Sequence, residues 1–139
     1  MTNRAAAEFK LKSRVYYEDT DAAGIIYHAN YLKFMERART EWLRHLGYEQ
    51  QQLANTYGVG FVVRKMTLDF ALPGHLDDEI EVVSSLQRCG RASMVFLQTI
   101  HRETQVLCQA EVKVGCINLQ TGSPQPMAEA LYRDIKNAS

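Results

Sequence analysis

The sequence predicts an α+β domain in which one long central helix is wrapped by a curved antiparallel sheet. Three observations carry that expectation. Between positions 31 and 46 the apolar residues recur with the helical period. From Phe61 onward the period falls to two through four successive segments. The links Cys89-Gly90 and Glu103-Thr104 are short enough to join only antiparallel neighbours. A single apolar helix in such a domain buries its stripe on the inner face of the sheet, which curls around it.

Taken in order, residues 1–7 read as a frayed tail, and Phe9, Leu11, Val15, Tyr16 and Tyr17 predict a first strand over 8–17. Residues 18–24 form a loop of acids and small residues. The helix is expected to be N-capped by Asn30 and stopped by Gly47, with Arg44 and His45 in its last turn. Positions 31, 34, 35, 38, 42 and 46 make its stripe, widened by Leu32 and Leu43. Residues 48–58 suggest a short polar helix ending at Gly58.

Residues 61–70 alternate, with Val62, Met66, Leu68 and Phe70 expected on one face until Pro73-Gly74 breaks the run. Strands over 79–86, 93–102 and 105–119 follow. In the last, Val106, Cys108, Ala110, Val112, Val114 and Cys116 face one way, opposite Gln109, Glu111 and Lys113. Gly115 is a candidate bulge there. Residues 127–136 suggest a terminal helix.

The 139 residues make a single domain, large enough to bury a core without a disulfide or metal staple. Sixteen basic and sixteen acidic residues cancel, which argues against a nucleic-acid binder. Cys89, Cys108 and Cys116 lack CxxC spacing and are expected as free thiols, two of them on the apolar face of one strand. The first twelve residues hold no signal-peptide core, and no apolar run reaches the ~20 residues of a membrane span. A cytoplasmic protein with no membrane insertion is expected.

The candidate chemistry lies in V-Y-Y-E-D-T-D-A-A-G-I-I-Y-H-A-N-Y (15–31). Here Asp19 and Asp21 occupy a small-residue turn that runs through His28 and Asn30 into the helix. A carboxylate near a helix start combines a base or nucleophile with unpaired N–H donors aimed at a developing oxyanion. Either acid equally suits an Asx-turn. Asp21 is favoured because Ile25, Ile26 and Tyr27 are expected to hold it in a partly dry pocket. The backbone N–H of His28, rather than its ring, is the expected oxyanion donor.

Glu36 is the reserve carboxylate, and Glu41 is expected to pair with His45 one turn on. Arg64 breaks the parity of its strand: it either snorkels to an edge or reaches into a cleft to meet an anion. An EF-hand match at Asp19, Asp21 and Gly24 fails at Ala23 and Asn30, so calcium is not expected. The histidines (His28, His45, His75 and His101) are scattered, and no G-x-S-x-G, P-loop or G-x-G-x-x-G occurs. No metal and no cofactor is expected.

The stretch R-V-Y-Y-E-D-T-D-A-A-G-I-I-Y-H-A-N-Y (14–31) resembles the active-site motif of the 4-hydroxybenzoyl-CoA thioesterase branch of hotdog-fold enzymes. E-R-A-R-T-E-W-L-R-H (36–45), F-V-V-R-K-M-T (61–67) and L-D-D (76–78) resemble the acyl-CoA thioesterases associated with the bacterial Tol–Pal envelope system. The likeness spans roughly residues 10–135. It implies a hotdog fold, homodimers joined edge to edge and often paired into homotetramers, and acyl-coenzyme A substrates bound at the dimer interface. The family's essential Asp falls on Asp21 and its oxyanion donor on the His28 N–H. Its aromatic position falls on Tyr27 and its helix-opening pair on Asn30-Tyr31. The family's basic phosphate contacts would fall to Arg88 and Arg91, and apart from the resemblance Val63 and Arg64 are candidates to contact substrate across the interface.

Two other functions stay open at this level. A hotdog acyl-thioester dehydratase would use His28 with Glu36. A non-catalytic module would hold acyl carrier protein or envelope-biogenesis enzymes through a basic face that includes Lys10, Lys12, Arg14 and Lys65.

Overall fold

The computed structural model describes residues 7–138, so nearly all of the expected tail lies outside the described residues. Its elements are β1 (Glu8–Arg14), α1 (Asn30–His45), α2 (Gln50–Tyr57), β2 (Val59–Phe70), β3 (Glu79–Cys89), β4 (Ser93–Arg102), β5 (Gln105–Asn118) and α3 (Glu129–Asn137). The strands form one antiparallel sheet in the order β1-β3-β4-β5-β2. Strands β1 and β2 are therefore the two edges, and α1 joins them across the inner face.

The helix follows its sequence pattern. Tyr31, Phe34, Met35, Ala38, Trp42 and Leu43 are buried on the sheet, and Trp42 meets Phe96 of β4 edge-on at 5.0 Å. Each large apolar side chain buried this way contributes about 1.5–3 kcal/mol, so the stripe dominates the stability of the helix. The terminal helix α3 buries Leu131 and Ile135. It is tied on by Tyr48–Asp134 (2.5 Å) and Arg91–Glu129 (2.6 Å). Among the described residues no helix is long and apolar enough to cross a membrane.

Four local expectations are corrected. Strand β1 ends at Arg14, three residues short of the expected end, because Val15 turns away to pair with Asp77 and Asp78. The bulge falls not at Gly115 but across from it, between Val63 and Lys65 of β2. Arg64 is the extra residue, and its stem crosses Gly115 so closely that an added Cβ would stand 2.8 Å from its Cδ. Any larger residue there would have to displace the Arg64 stem.

That bulge shifts the parity of β2, so Val62 does not share a face with Met66, Leu68 and Phe70. Val63 lines the inner side instead. Finally, Glu41 pairs with Arg44 rather than His45, whose ring rests against Phe9 at 5.5 Å. An arginine three positions away outcompetes a histidine, because it is charged at every pH the fold meets.

Candidate active site

The acid turn is a small hairpin leading into α1. Thr20 bridges Ile26, the Asp21 N–H donates to the Ile25 carbonyl (2.9 Å), and the Tyr27 N–H donates to that of Asp19 (2.9 Å). A second loop holds the hairpin from outside. The Ile26 N–H donates to the Gly74 carbonyl (2.8 Å), the Leu76 N–H donates to that of Gly24 (3.1 Å), and Ile25 bridges His75. Gly74 lets the two loops approach closely: a Cβ there would stand 2.4 Å from Ile26 Cδ1, so the Ile26 side chain would have to shift. The supporting loop is itself clamped by Arg102, which donates to Asp78 (2.8 Å).

The two acids meet different surroundings. Asp19 is buried: Oδ2 accepts from the Tyr16 N–H (2.8 Å) and Oδ1 from Asn30 Nδ2 (3.0 Å). Asp21 is exposed, with Oδ1 accepting from the Ala23 N–H (2.9 Å) in an Asx-turn. The partly dry pocket expected around Asp21 is therefore not formed by one chain. The Ile26 side chain turns toward Gly74 of the supporting loop.

Asn30 does not cap the helix. Ala29 holds the N-cap position without a side-chain bond, and Asn30 is the first helical residue, its amide drawn back to Asp19. Consequently no side chain closes the start of α1. The backbone N–H of His28 has no hydrogen-bond partner among the described residues. Its ring lies between Tyr27 (4.4 Å) and Phe70 (6.4 Å), at the end of edge strand β2.

The remaining candidates divide. Tyr27 is 46 % exposed beside His28, and Tyr31 is buried, its hydroxyl accepting from the Gly74 N–H (3.2 Å). Val63 lines the inner cavity described below, whereas Arg64 crosses to the outer face. Arg88 also lies on the outer face, in a surface depression with Lys65 and Lys113. Arg91 is engaged elsewhere, paired with Glu129 and stacked on Tyr132 at 4.2 Å. Among the described residues no group of three His, Cys, Asp or Glu is placed to hold a metal ion.

Sequence reasoning missed a cavity of about 220 Å³ between α1 and the sheet, walled by Leu43, Phe61, Val63, Met94, Phe96 and Val114. Glu36 and Arg39 open onto it. Arg39 Nη1 donates to Gln98 Oε1 (2.8 Å), and Gln98 is fully buried. The available signal was Gln98, a polar residue on the inward face of β4 among Met94, Phe96 and Ile100.

Comparison with known proteins agrees with this architecture. Residues 15–135 match the thioesterase-like superfamily. The chain is 43% identical over 129 residues to the acyl-CoA thioester hydrolase YbgC of Escherichia coli, covering 92% of this chain and 96% of that one. It is 43% identical over 120 residues to the acyl-CoA thioesterase YbgC of Haemophilus influenzae, covering 86% and 87%. A probable thioesterase from Bartonella henselae superposes with a TM-score of 0.84 at 34% identity, over 88% of this chain and all (100%) of that one. The helix wrapped by a five-stranded antiparallel sheet, and the match over nearly its full length, make this chain a member of the thioesterase-like superfamily with the hotdog fold.

Proposed function

We propose that the protein is an acyl-CoA thioester hydrolase whose chemistry is carried by Asp21 and the open start of α1. The observation that carries this reading is the pairing of an exposed carboxylate and an unpartnered His28 N–H on one braced hairpin. The N–H, aided by the helix dipole, binds the thioester oxygen as it becomes an oxyanion. Asp21 then acts by one of two routes. As nucleophile it forms a C–O bond to the carbonyl carbon, the C–S bond breaks, and water hydrolyses the resulting anhydride. As general base it takes a proton from the attacking water and passes it to the departing thiolate. Neither route draws on a metal or an organic cofactor.

A second copy of the chain completes the site. Edge strand β2 carries exposed Val62, Val63 and Phe70, and Phe70 touches His28 and Tyr31 at the start of α1. Pairing two β2 strands about a two-fold axis sets the Phe70 end of one against the Val59 end of the other. Asp21 of one copy then faces the cavity walled by Phe61 and Val63 of its mate, which supplies the dryness a lone chain lacks. Of the two arginines expected to meet the coenzyme A phosphates, Arg91 is paired with Glu129, which leaves Arg88 in its depression with Lys65 and Lys113.

The test is release of free thiol from a panel of acyl-CoA thioesters. Asp21→Asn is expected to remove nearly all turnover with an unchanged circular-dichroism spectrum. His28→Pro, which deletes the donor, is expected to lose about 10²–10³ in rate. Full activity in Asp21→Asn would exclude this assignment. A dehydratase, which would recruit the His28 ring and Glu36, finds less support because among the described residues no hydrogen bond or ion pair joins the two, and the ring's neighbours are Tyr27 and Phe70.

A further inference from the structure

We propose that the cavity beneath α1 is the acyl chamber and that Arg39 is its specificity-determining residue. On this proposal it selects acyl groups that end in a carboxylate, the half-thioesters of dicarboxylic acids. The inference rests on the thioester-hydrolase reading and deepens it by naming a substrate class.

Size comes first. A cavity of roughly 150 Å³ accepts a benzene-sized guest, so the 220 Å³ here suits a compact acyl group. Its wall is apolar on the sheet side, which would serve any hydrocarbon chain. A guanidinium is out of place there unless it has an anion to meet, because desolvating a charge is costly.

Arg39 is anchored but not neutralised. Among the described residues its one side-chain partner is the neutral amide of Gln98, at 2.8 Å. Gln98 is in turn fixed by donating to the Met35 carbonyl (3.0 Å) and to Ser84 Oγ (2.9 Å). Three elements thus hold the guanidinium in one orientation, with N–H groups to spare. Glu36 also opens on the cavity and favours the Arg39 charge through space, yet among the described residues it forms no ion pair with it. Burial meanwhile pushes the Arg39 pKa below its ordinary value, against the smaller pull of Glu36. A positioned, half-desolvated cation without a carboxylate partner is what a bound carboxylate would complete through a forked pair of hydrogen bonds.

The rival account is that Arg39 only satisfies Gln98 and pins α1 to β4. The two accounts separate on selectivity rather than on activity. Thiol release would be measured for matched mono- and dicarboxylic acyl-CoA thioesters of five to eight carbons, with the native protein and with Arg39→Gln and Arg39→Lys. The expected result is a kcat/KM at least tenfold higher for the best carboxylate-bearing thioester than for its plain mate. Arg39→Gln abolishes that ratio, and Arg39→Lys restores part of it. Equal ratios in native protein and Arg39→Gln, or a native preference for the plain chain, would overturn the proposal.

Calorimetric binding of non-hydrolysable thioether analogues, with and without the terminal carboxylate, keeps this question apart from catalysis. If no thioester is turned over, the hydrolase reading fails. The chamber is still judged by whether Arg39→Gln weakens the carboxylate-bearing analogue alone by tenfold or more. An equal effect on both analogues would make Arg39 a purely structural residue.

Discussion

Asp19 and Asp21 stand two positions apart, and their hydrogen bonds assign them opposite duties. The buried carboxylate of Asp19 ties Tyr16 to Asn30, joining the entry of the hairpin to the first turn of α1. Among the described residues Asp21 holds only its own turn, and its second carboxylate oxygen has no partner there. Asp19→Ala would orphan the buried Asn30 amide and delete two charge-assisted bonds, at about 3 kcal/mol. Urea unfolding should report that loss, while Asp21→Ala should leave the midpoint almost unmoved. Equal midpoints for the two variants would contradict the division of labour.

At the scale of elements, the proposed site depends on where α1 begins and where β2 ends. A helix closed by a good side-chain cap would have spent the donors that an oxyanion needs. Here the residue best suited to cap, Asn30, is turned toward Asp19 instead. The β2 bulge acts in the same direction. It throws Arg64 to the outer face and keeps Phe61 and Val63 on the inner one. An edge strand of 12 residues with exposed valines is a surface that natural sheets either protect or pair. Sedimentation velocity should therefore find a dimer or a multiple of it, with turnover falling as dilution yields single chains. A fully active monomer would remove the second copy from the site.

At the scale of the whole molecule, stability should fall at both ends of the pH range. Partial burial pulls the Asp78 carboxyl upward, but Arg102's hydrogen bond and charge, with the His75 N–H, bring it below its ordinary value. A lowered carboxyl stabilises the fold above its unfolded pKa, and that contribution is lost as pH falls through the folded one. On the alkaline side, a hydrogen bond to Asp134, then burial, pushes Tyr48 up to about 12 from 10.0. Burial, then the charge of Asp69, raises the Cys108 thiol from 9.0 to about 11. Both groups favour the folded state while neutral, so their contribution is complete below the unfolded values and fades above them. Denaturant midpoints should stay level near neutrality, drop in acid, and drop again above about pH 9 as Cys108 and then Tyr48 ionise. Arg102→Met should flatten the acid limb alone, and an unchanged limb would exclude the Asp78 pair as its source.

Much of this was legible before any coordinates. The period of the stripe from Tyr31 to Leu46 located α1, and the alternation through Cys108 and Val114 located β5, because each depends only on which neighbours share a face. The D-T-D turn was legible as a turn of acids beside a helix start, a pattern that suits an Asx-turn as well as a reactive carboxylate. What the chain's order alone left undecided was every relation across space. Asp19 is buried against Asn30, eleven positions beyond it, and the β2 bulge lies across from Gly115 in another strand. The chamber beside Arg39 exists only where α1 crosses β2, β4 and β5. Local periodicity sets the elements, because backbone geometry repeats along a segment. Only packing between distant segments sets exposure and cavity shape, since both depend on which surfaces finally meet.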